Sequence, residues 1–177
     1  MSKFLNRTST REAISDATNN GCVFVMLGHG KYCLIDKDDI HLLGKYRWHY
    51  NLRGYAARWA RKDGRQKLVY LHRLVINAPD GKFCDHINHD TLDNRKCNLR
   101  LCNKSQNACN SRKRKNTISK FRGVCWDKSK RKYTAQIRTL GRQINLGRFF
   151  SEEEAAAAYN KAAIEHHGVF AKLNSIK

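Results

Sequence analysis

Apolar residues in this chain fall in short runs separated by turns rich in glycine, asparagine and aspartate. Residues 22–27 (CVFVML) and 32–35 (YCLI) flank Gly28-His29-Gly30, the pattern of a β-hairpin with a glycine turn. Residues 38–45 read as a short helical or turn segment. Residues 46–51 and 55–61 make a second candidate hairpin, and Asp63-Gly64 turns the chain into Leu68-Val69-Tyr70. The result is a small antiparallel sheet carrying Trp48, Tyr50, Tyr55 and Trp59, aromatics that more often fill a core or a sheet face than stack on bases. Leu71, Leu74 and Val75 form the apolar side of a short helix that also carries His72 and Arg73. Pro79-Asp80-Gly81 makes a turn with the only proline. Residues 83–110 then read as strand end, polar loop, short strand (Asn98-Leu99-Arg100-Leu101) and a helix capped by Asn103-x-x-Gln106. The first twenty residues are polar, and Ser9-x-x-Glu12 has the spacing of a capping box.

Residues 111–119 (SRKRKNTIS) break this order with four consecutive basic residues and no apolar period, a linker suited to tracking phosphates. Beyond it, residues 121–126, 132–138 and 143–147 are three β runs. Alternation puts Tyr133, Ala135 and Ile137 on one face and Lys132, Gln136 and Arg138 on the other. Ser151 with three following glutamates opens a helix at its positive end. Ala155, Ala158, Tyr159, Ala162 and Ala163 line its sheet side, and Gly168 ends it. The expected fold is therefore α+β. An N-terminal domain (1–110) carries a small antiparallel sheet, followed by the basic linker (111–119). A domain of residues 120–177 has a three-stranded antiparallel sheet packed on one helix.

Charge changes the picture from an ordinary small protein to a polyanion binder. Lys and Arg total 35 against 15 Asp and Glu, a formal charge of +20. Residues 1–110 hold 19 basic and 10 acidic residues, and 111–177 hold 16 and 5, so excesses of +9 and +11 place both halves against nucleic acid. No run reaches transmembrane length and no signal peptide opens the chain, which points to a cytoplasmic protein with no membrane partner. Seven cysteines at irregular spacings contain no C-x-x-C pair, so structural zinc is not expected and the thiols read as reduced and mostly buried.

The candidate chemistry lies in residues 85–110, DHINHDTLDNRKCNLRLCNKSQNACN. A carboxylate (Asp85) and an amide oxygen (Asn107) are hard donors suited to Mg²⁺ or Mn²⁺, and an adjacent imidazole (His86) can take a proton from water. Each taken singly is equally at home in a polar turn or on a helix surface. In combination the stretch closely resembles the HNH endonucleases and their ββα-metal motif, through Asp85-His86, Asn98-Leu99 and Asn107. The family's third position is often His; here it is Asn. The resemblance implies that His86 is the general base, that Asp85 and Asn107 hold the metal, and that Asn98 ties the loop and orients His86. The "HRLV" segment before the motif is similar too. It offers His72 and Arg73 as contacts to the scissile phosphate, or as solvated positions on an amphipathic helix.

The C-terminal segments FRGV-x-W, Y-x-A-Q-I-R, LG-x-F, EEAA-x-AY and LN closely resemble the AP2 DNA-binding domain. That implies duplex contacts from Arg122, Trp126, Gln136, Arg138, Gln143 and Asn145. Together the two resemblances imply a site-specific, mobile DNA endonuclease of the kind encoded in or between phage genes. It would act on double-stranded DNA as a monomer, with one active site that nicks one strand. The alternative is a DNA-binding regulator whose nuclease half is inactive.

Overall fold

The computed structural model describes residues 14–17, 21–111 and 118–176. The Ser9/Glu12 cap and the run of four basic residues fall outside them. The chain divides into two compact units, Met1–Leu101 and Cys102–Lys177. The division falls inside the strand Leu99–Cys102, so the short helix Lys104–Cys109 belongs to the second unit.

In the first unit, β1 (Ile14–Ala17), β2 (Cys22–Gly28) and β3 (Lys31–Asp36) form an antiparallel sheet in that order. The β2–β3 hairpin is the expected one. β1 is an addition: ISDA has no apolar run to announce it, and it is set by pairing Ile14 with Val25 and Ala17 with Cys22. A 3-10 helix (Lys37–Leu43) leads to a second sheet of β4 (His49–Tyr50), β5 (Ala56–Lys62) and β6 (Arg65–Tyr70). Asp63 and Gly64 join β5 to β6 with φ of 50° and 73°, both left-handed, as a two-residue hairpin turn requires. The inward side chains Val23, Val25, Leu27, Cys33, Ile35, Leu43, Trp48, Ala56, Leu71, Val75 and Leu99 share one core. Of the four aromatics expected on the second sheet, Trp48 is in the core while Trp59 is 58% exposed. The tip from Arg61 to Lys67 is exposed throughout and carries Arg61, Lys62, Arg65 and Lys67 against one acid, Asp63.

Helix α1 (Leu71–Val75) follows, and then the paired strands β7 (Phe83–His86) and β8 (Leu99–Cys102). The first sheet serves as the scaffold for the loop between them. β3 donates Leu34 N–H to the Leu92 carbonyl and accepts Asn94 N–H at its own carbonyl, both at 2.8 Å. Asp36 accepts the Lys96 N–H at 2.8 Å and Asp39 pairs with the Lys96 ammonium at 2.7 Å.

The second unit opens with α2 (Lys104–Cys109), capped reciprocally by Asn103 and Gln106 as expected. β9 (Val124–Asp127), β10 (Lys132–Thr139) and β11 (Arg142–Phe149) form an antiparallel sheet with β10 central. Helix α3 (Glu152–His167) covers one face and carries the Ser151/Glu154 capping box. Ala155, Ala156, Tyr159, Ala162 and Ala163 are its buried side chains, so the small-residue stripe includes Ala156, while Ala158 is only half-buried. These small residues let helix and sheet approach closely. At Gly123 (φ 72°) an added Cβ would lie 2.1 Å from the Tyr159 ring and 2.6 Å from the Gln136 carbonyl, so only glycine fits there. Asn174 closes the unit: its side chain accepts the Arg122 N–H at 2.7 Å and donates to the Arg122 carbonyl at 3.0 Å.

None of the seven cysteines is in a disulfide; Cys22, Cys33 and Cys102 are buried, Cys84 and Cys109 half-buried, and Cys97 and Cys125 exposed, fewer buried than the mostly buried set expected. Among the described residues no helix is long and apolar enough to cross a membrane.

Candidate active site

The end of β7 places Asp85 and His86 side by side, 7% and 5% exposed. The polar loop that follows is ordered by its own short side chains. Asn88 accepts the Asp90 N–H at 2.8 Å and Asp90 accepts the Leu92 N–H at 3.0 Å, successive Asx turns of the kind these residues favour. Asp93, buried, receives Arg95 at 2.7 Å and the Asn88 amide at 2.9 Å. The Arg95 hydrogen bonds hold the Asp93 carboxyl below the ordinary carboxylate range, against the opposing effect of burial.

Asn98 ends a 3-10 turn (Lys96–Asn98) immediately before β8 and stitches this loop together. Its side chain accepts the Asn88 N–H at 3.0 Å and donates to the Asp93 carbonyl at 2.8 Å, and its carbonyl accepts the Ile87 N–H at 2.9 Å. The residue against the His86 ring is a different one. Asn94, completely buried, lies with Oδ1 3.4 Å from His86 Nε2. Asn94 donates its own amide N–H to the Leu92 carbonyl at 3.1 Å, which turns Oδ1 toward the imidazole. Nε2 is then the protonated nitrogen and the lone pair resides on Nδ1. The expected orienting of His86 therefore comes from Asn94, and Asn98 acts on the loop.

Burial lowers the His86 pKa below its ordinary value, opposed by the Asn94 hydrogen bond and by the charges of Asp85, Asp90 and Asp93. The ring is packed among aromatics: Tyr55 at 5.9 Å between centroids and His72 at 5.1 Å, edge to face. His72 is also buried, stacked on Tyr70 at 5.4 Å, and its Nδ1 has no hydrogen-bond partner. Burial, then the neighbouring His86 and Arg73, bring its pKa to about 3, so it is a neutral wall of the site. A solvated His72 is thus excluded. Arg73 is engaged elsewhere as well: its guanidinium donates to the carbonyls of Lys82 (2.8 Å), Ala78 (3.2 Å) and Pro79 (2.9 Å), pinning the turn that leads into β7. The fork offered to a phosphate by the sequence is occupied by backbone.

Asp85 has a partner that the sequence reading did not assign. Arg100, on β8, directs both Nε (2.8 Å) and Nη2 (2.7 Å) to the same carboxylate oxygen, Oδ2. The one signal for it was position: Arg100 stands two residues after Asn98 on the strand paired with β7.

The donor chemistry fits a hard divalent ion better than zinc. Among the described residues no group of three His, Cys, Asp or Glu side chains is arranged to hold a metal. What Asp85 and Asn107 supply is carboxylate and amide oxygen. Asn107 is half-buried on α2, in the second unit, with its N–H bonded to the Asn103 carbonyl at 3.0 Å.

On the C-terminal sheet, register decides which expected DNA contacts share a face. Gln136 pairs with Asn145 and Arg138 with Gln143, so all four lie together on the side away from α3. Gln143 donates to Gln136 at 2.7 Å. Arg148, opposite Thr134, joins that face and was not singled out in the sequence. Trp126 does not belong to it: it pairs with Tyr133 and meets that ring edge-on at 4.7 Å, on the helix side. Arg122 is not on the face either. Its guanidinium donates to the carbonyls of Ser111 and Ala108 (3.1 Å for Ala108), at the C-terminal end of α2.

A buried histidine beside an ion-paired carboxylate, on a two-stranded ribbon, is an arrangement able to accept a proton from water. Comparison with known proteins supplies the class. Residues 69–109, which contain this ribbon, match the HNH endonuclease family. An uncharacterized HNH endonuclease of Acanthamoeba polyphaga mimivirus is 32% identical over 158 residues, covering 86% of this chain and 81% of the relative. Protein 3.8 of Escherichia phage T7 is 30% identical over 97 residues, 54% of this chain and 78% of that protein. The chain belongs to the HNH endonucleases. The solved structure described as DNA binding and cleavage by the HNH homing endonuclease I-HmuI is similar at 23% identity with a TM-score of 0.31. That likeness covers 51% of this chain and 47% of the other, so the chain spans about half of that protein, and so low a score carries no weight for the arrangement of this one.

Proposed function

We propose that the protein is a DNA endonuclease in which His86 is the general base. The observation that carries this reading is the Leu92–Asn94–His86 relay, which fixes one tautomer of a buried imidazole with its lone pair on Nδ1. Nδ1 takes a proton from water as the oxygen attacks phosphorus, while Asn94 holds Nε2–H and keeps the ring from rotating. Asp85, and by the family resemblance Asn107, would hold Mg²⁺ or Mn²⁺. When bound, the ion supplies charge stabilisation for the phosphorane-like transition state and the leaving oxygen. His72 and Tyr55 keep water from the far side of the ring.

The C-terminal unit is read as an AP2-like domain whose open face, Gln136, Arg138, Gln143, Asn145 and Arg148, contacts duplex DNA. A twisted three-stranded sheet fits the major groove, and its polar side chains can read base edges. The exposed basic tip of the β5–β6 hairpin adds phosphate contacts in the first unit. One base in one chain leads to nicking by a monomer, in a mobile endonuclease working in the cytoplasm of a host cell. The test is a supercoiled-plasmid assay. Open circles should accumulate before linear molecules with Mg²⁺ or Mn²⁺, and EDTA should abolish them. Immediate linear product, or cleavage that survives EDTA, would contradict the mechanism. Tight DNA binding with no cleavage under any divalent ion would favour the DNA-binding regulator, which the +20 charge supports equally.

A further inference from the structure

The Arg100–Asp85 pair has no role in the mechanism above, yet it occupies the carboxylate that a metal would need. We propose that Arg100 sets the order of assembly: it keeps divalent-ion affinity low in the free protein, so that the ion and the DNA phosphate bind cooperatively. This rests on reading Asp85 as a metal ligand.

The charge count carries the inference. Arg100 and Asp85 have side chains only 17% and 8% exposed, and their opposite charges nearly cancel. Both N–H groups converge on Oδ2, so the guanidinium lies within one hydrogen bond of the oxygen atoms that would coordinate the ion. Of the other acids whose charge reaches His86, Asp93 is itself neutralised by Arg95 and Asp90 is exposed to solvent, while Asn94, Asn98 and the neutral imidazoles carry no charge. A divalent cation entering this site alone therefore meets a charge-compensated pair whose guanidinium is fixed in a partly dry environment, and Asp90, exposed and screened by solvent, offsets that guanidinium little. A phosphodiester brings that anion. It can attract the guanidinium from one side and the metal from the other, since arginine pairs with phosphate as readily as with carboxylate. Arg100 is thus a positioning residue that acts through Asp85, and its consequence is thermodynamic coupling. Linkage requires that DNA raise metal affinity by the same factor by which metal raises DNA affinity, in the range of about 5–150-fold for such couplings.

Mn²⁺ binding to the full-length protein, followed by electron paramagnetic resonance, tests this without relying on turnover. The protein is titrated alone and with a duplex that the wild type cuts, in the His86→Ala background to prevent cleavage. Mn²⁺ affinity should rise by about tenfold or more on adding the duplex. Arg100→Gln should bind Mn²⁺ about tenfold more tightly without DNA, and its gain on adding DNA should shrink. Arg100→Lys keeps the charge without the fork and should retain weak DNA-free binding and the large gain. An Arg100→Gln protein that binds Mn²⁺ no better than its parent, or an Arg100→Lys protein that behaves like it, overturns the inference. Either result leaves the nuclease reading standing if the wild type still cuts. Mn²⁺ that binds none of these proteins, with or without DNA, overturns both the coupling and the assignment of Asp85.

Discussion

Acid should destabilise the first unit through His72 before Asp93 is protonated. His72 is 7% exposed and its folded pKa is about 3, against 6.5 for an ordinary histidine. The unfolded chain therefore binds a proton that the folded one refuses throughout that interval. The His72 contribution to stability is fully present above about pH 6.5 and is lost as pH falls toward 3. At about 1.4 kcal/mol per unit, lowering the pH from 6.5 to 4.5 removes about 3 kcal/mol, a large share of the roughly 5–15 kcal/mol that holds a domain together. His86 is shifted in the same direction and adds to the slope. Asp93 is shifted downward as a carboxylate, so its contribution is lost only below about pH 4 and leaves this window untouched. Urea unfolding at pH 7 and pH 4.5, followed by Trp48 fluorescence, measures the difference. His72→Gln should flatten the dependence by about 3 kcal/mol even if it lowers stability at pH 7. Equal stability of the wild type at the two pH values, or an unchanged slope in His72→Gln, would refute the burial argument.

Further predictions concern the groups that support the site and the sheet. Asn94→Ala strips His86 Nε2–H of its acceptor and should destabilise the first unit by about 1–3 kcal/mol in urea titrations while lowering cleavage; full activity would show that the ring is held by something else. Arg122→Ala should lower the unfolding midpoint of the second unit and leave the salt dependence of DNA binding unchanged. Arg138→Ala should weaken DNA binding with little effect on stability, and the reverse pattern would exchange their roles. Gly123→Ala should destabilise the second unit by about 1–3 kcal/mol, because the Tyr159 ring must move; a neutral effect in thermal unfolding would contradict the packing described.

The parts legible in the sequence are those specified locally. Both N-terminal hairpins announce themselves by apolar runs around glycine turns, and the Asn103 and Ser151 capping boxes appear where their spacing put them. Strand β1 was hidden because its four residues are extended only by virtue of pairing with β2. The same limit applies at the site. Asp85 and His86 stand out as adjacent acid and base, whereas Asn94 reads as one more asparagine in a polar loop. Its burial is created by β3, whose Leu34 carbonyl lies some sixty residues earlier in the chain and captures the Asn94 N–H. Arg73 and Arg122 are offered as DNA contacts by the two resemblances, yet in the fold each satisfies backbone carbonyls. Trp126, offered as a duplex contact by the resemblance, pairs with Tyr133 on the helix side, because the side of a strand that meets the helix depends on register, and composition does not contain register.

The central claim is that His86 performs the chemistry and that DNA affinity resides elsewhere. The most direct measurement is cleavage of a plasmid by wild type and His86→Ala under Mg²⁺, with duplex binding measured in parallel on the same preparations. Cleavage should fall by at least ~10²-fold, the low end for loss of a general base, while binding and its salt dependence stay as they were. Cleavage at the wild-type rate by His86→Ala would contradict the account.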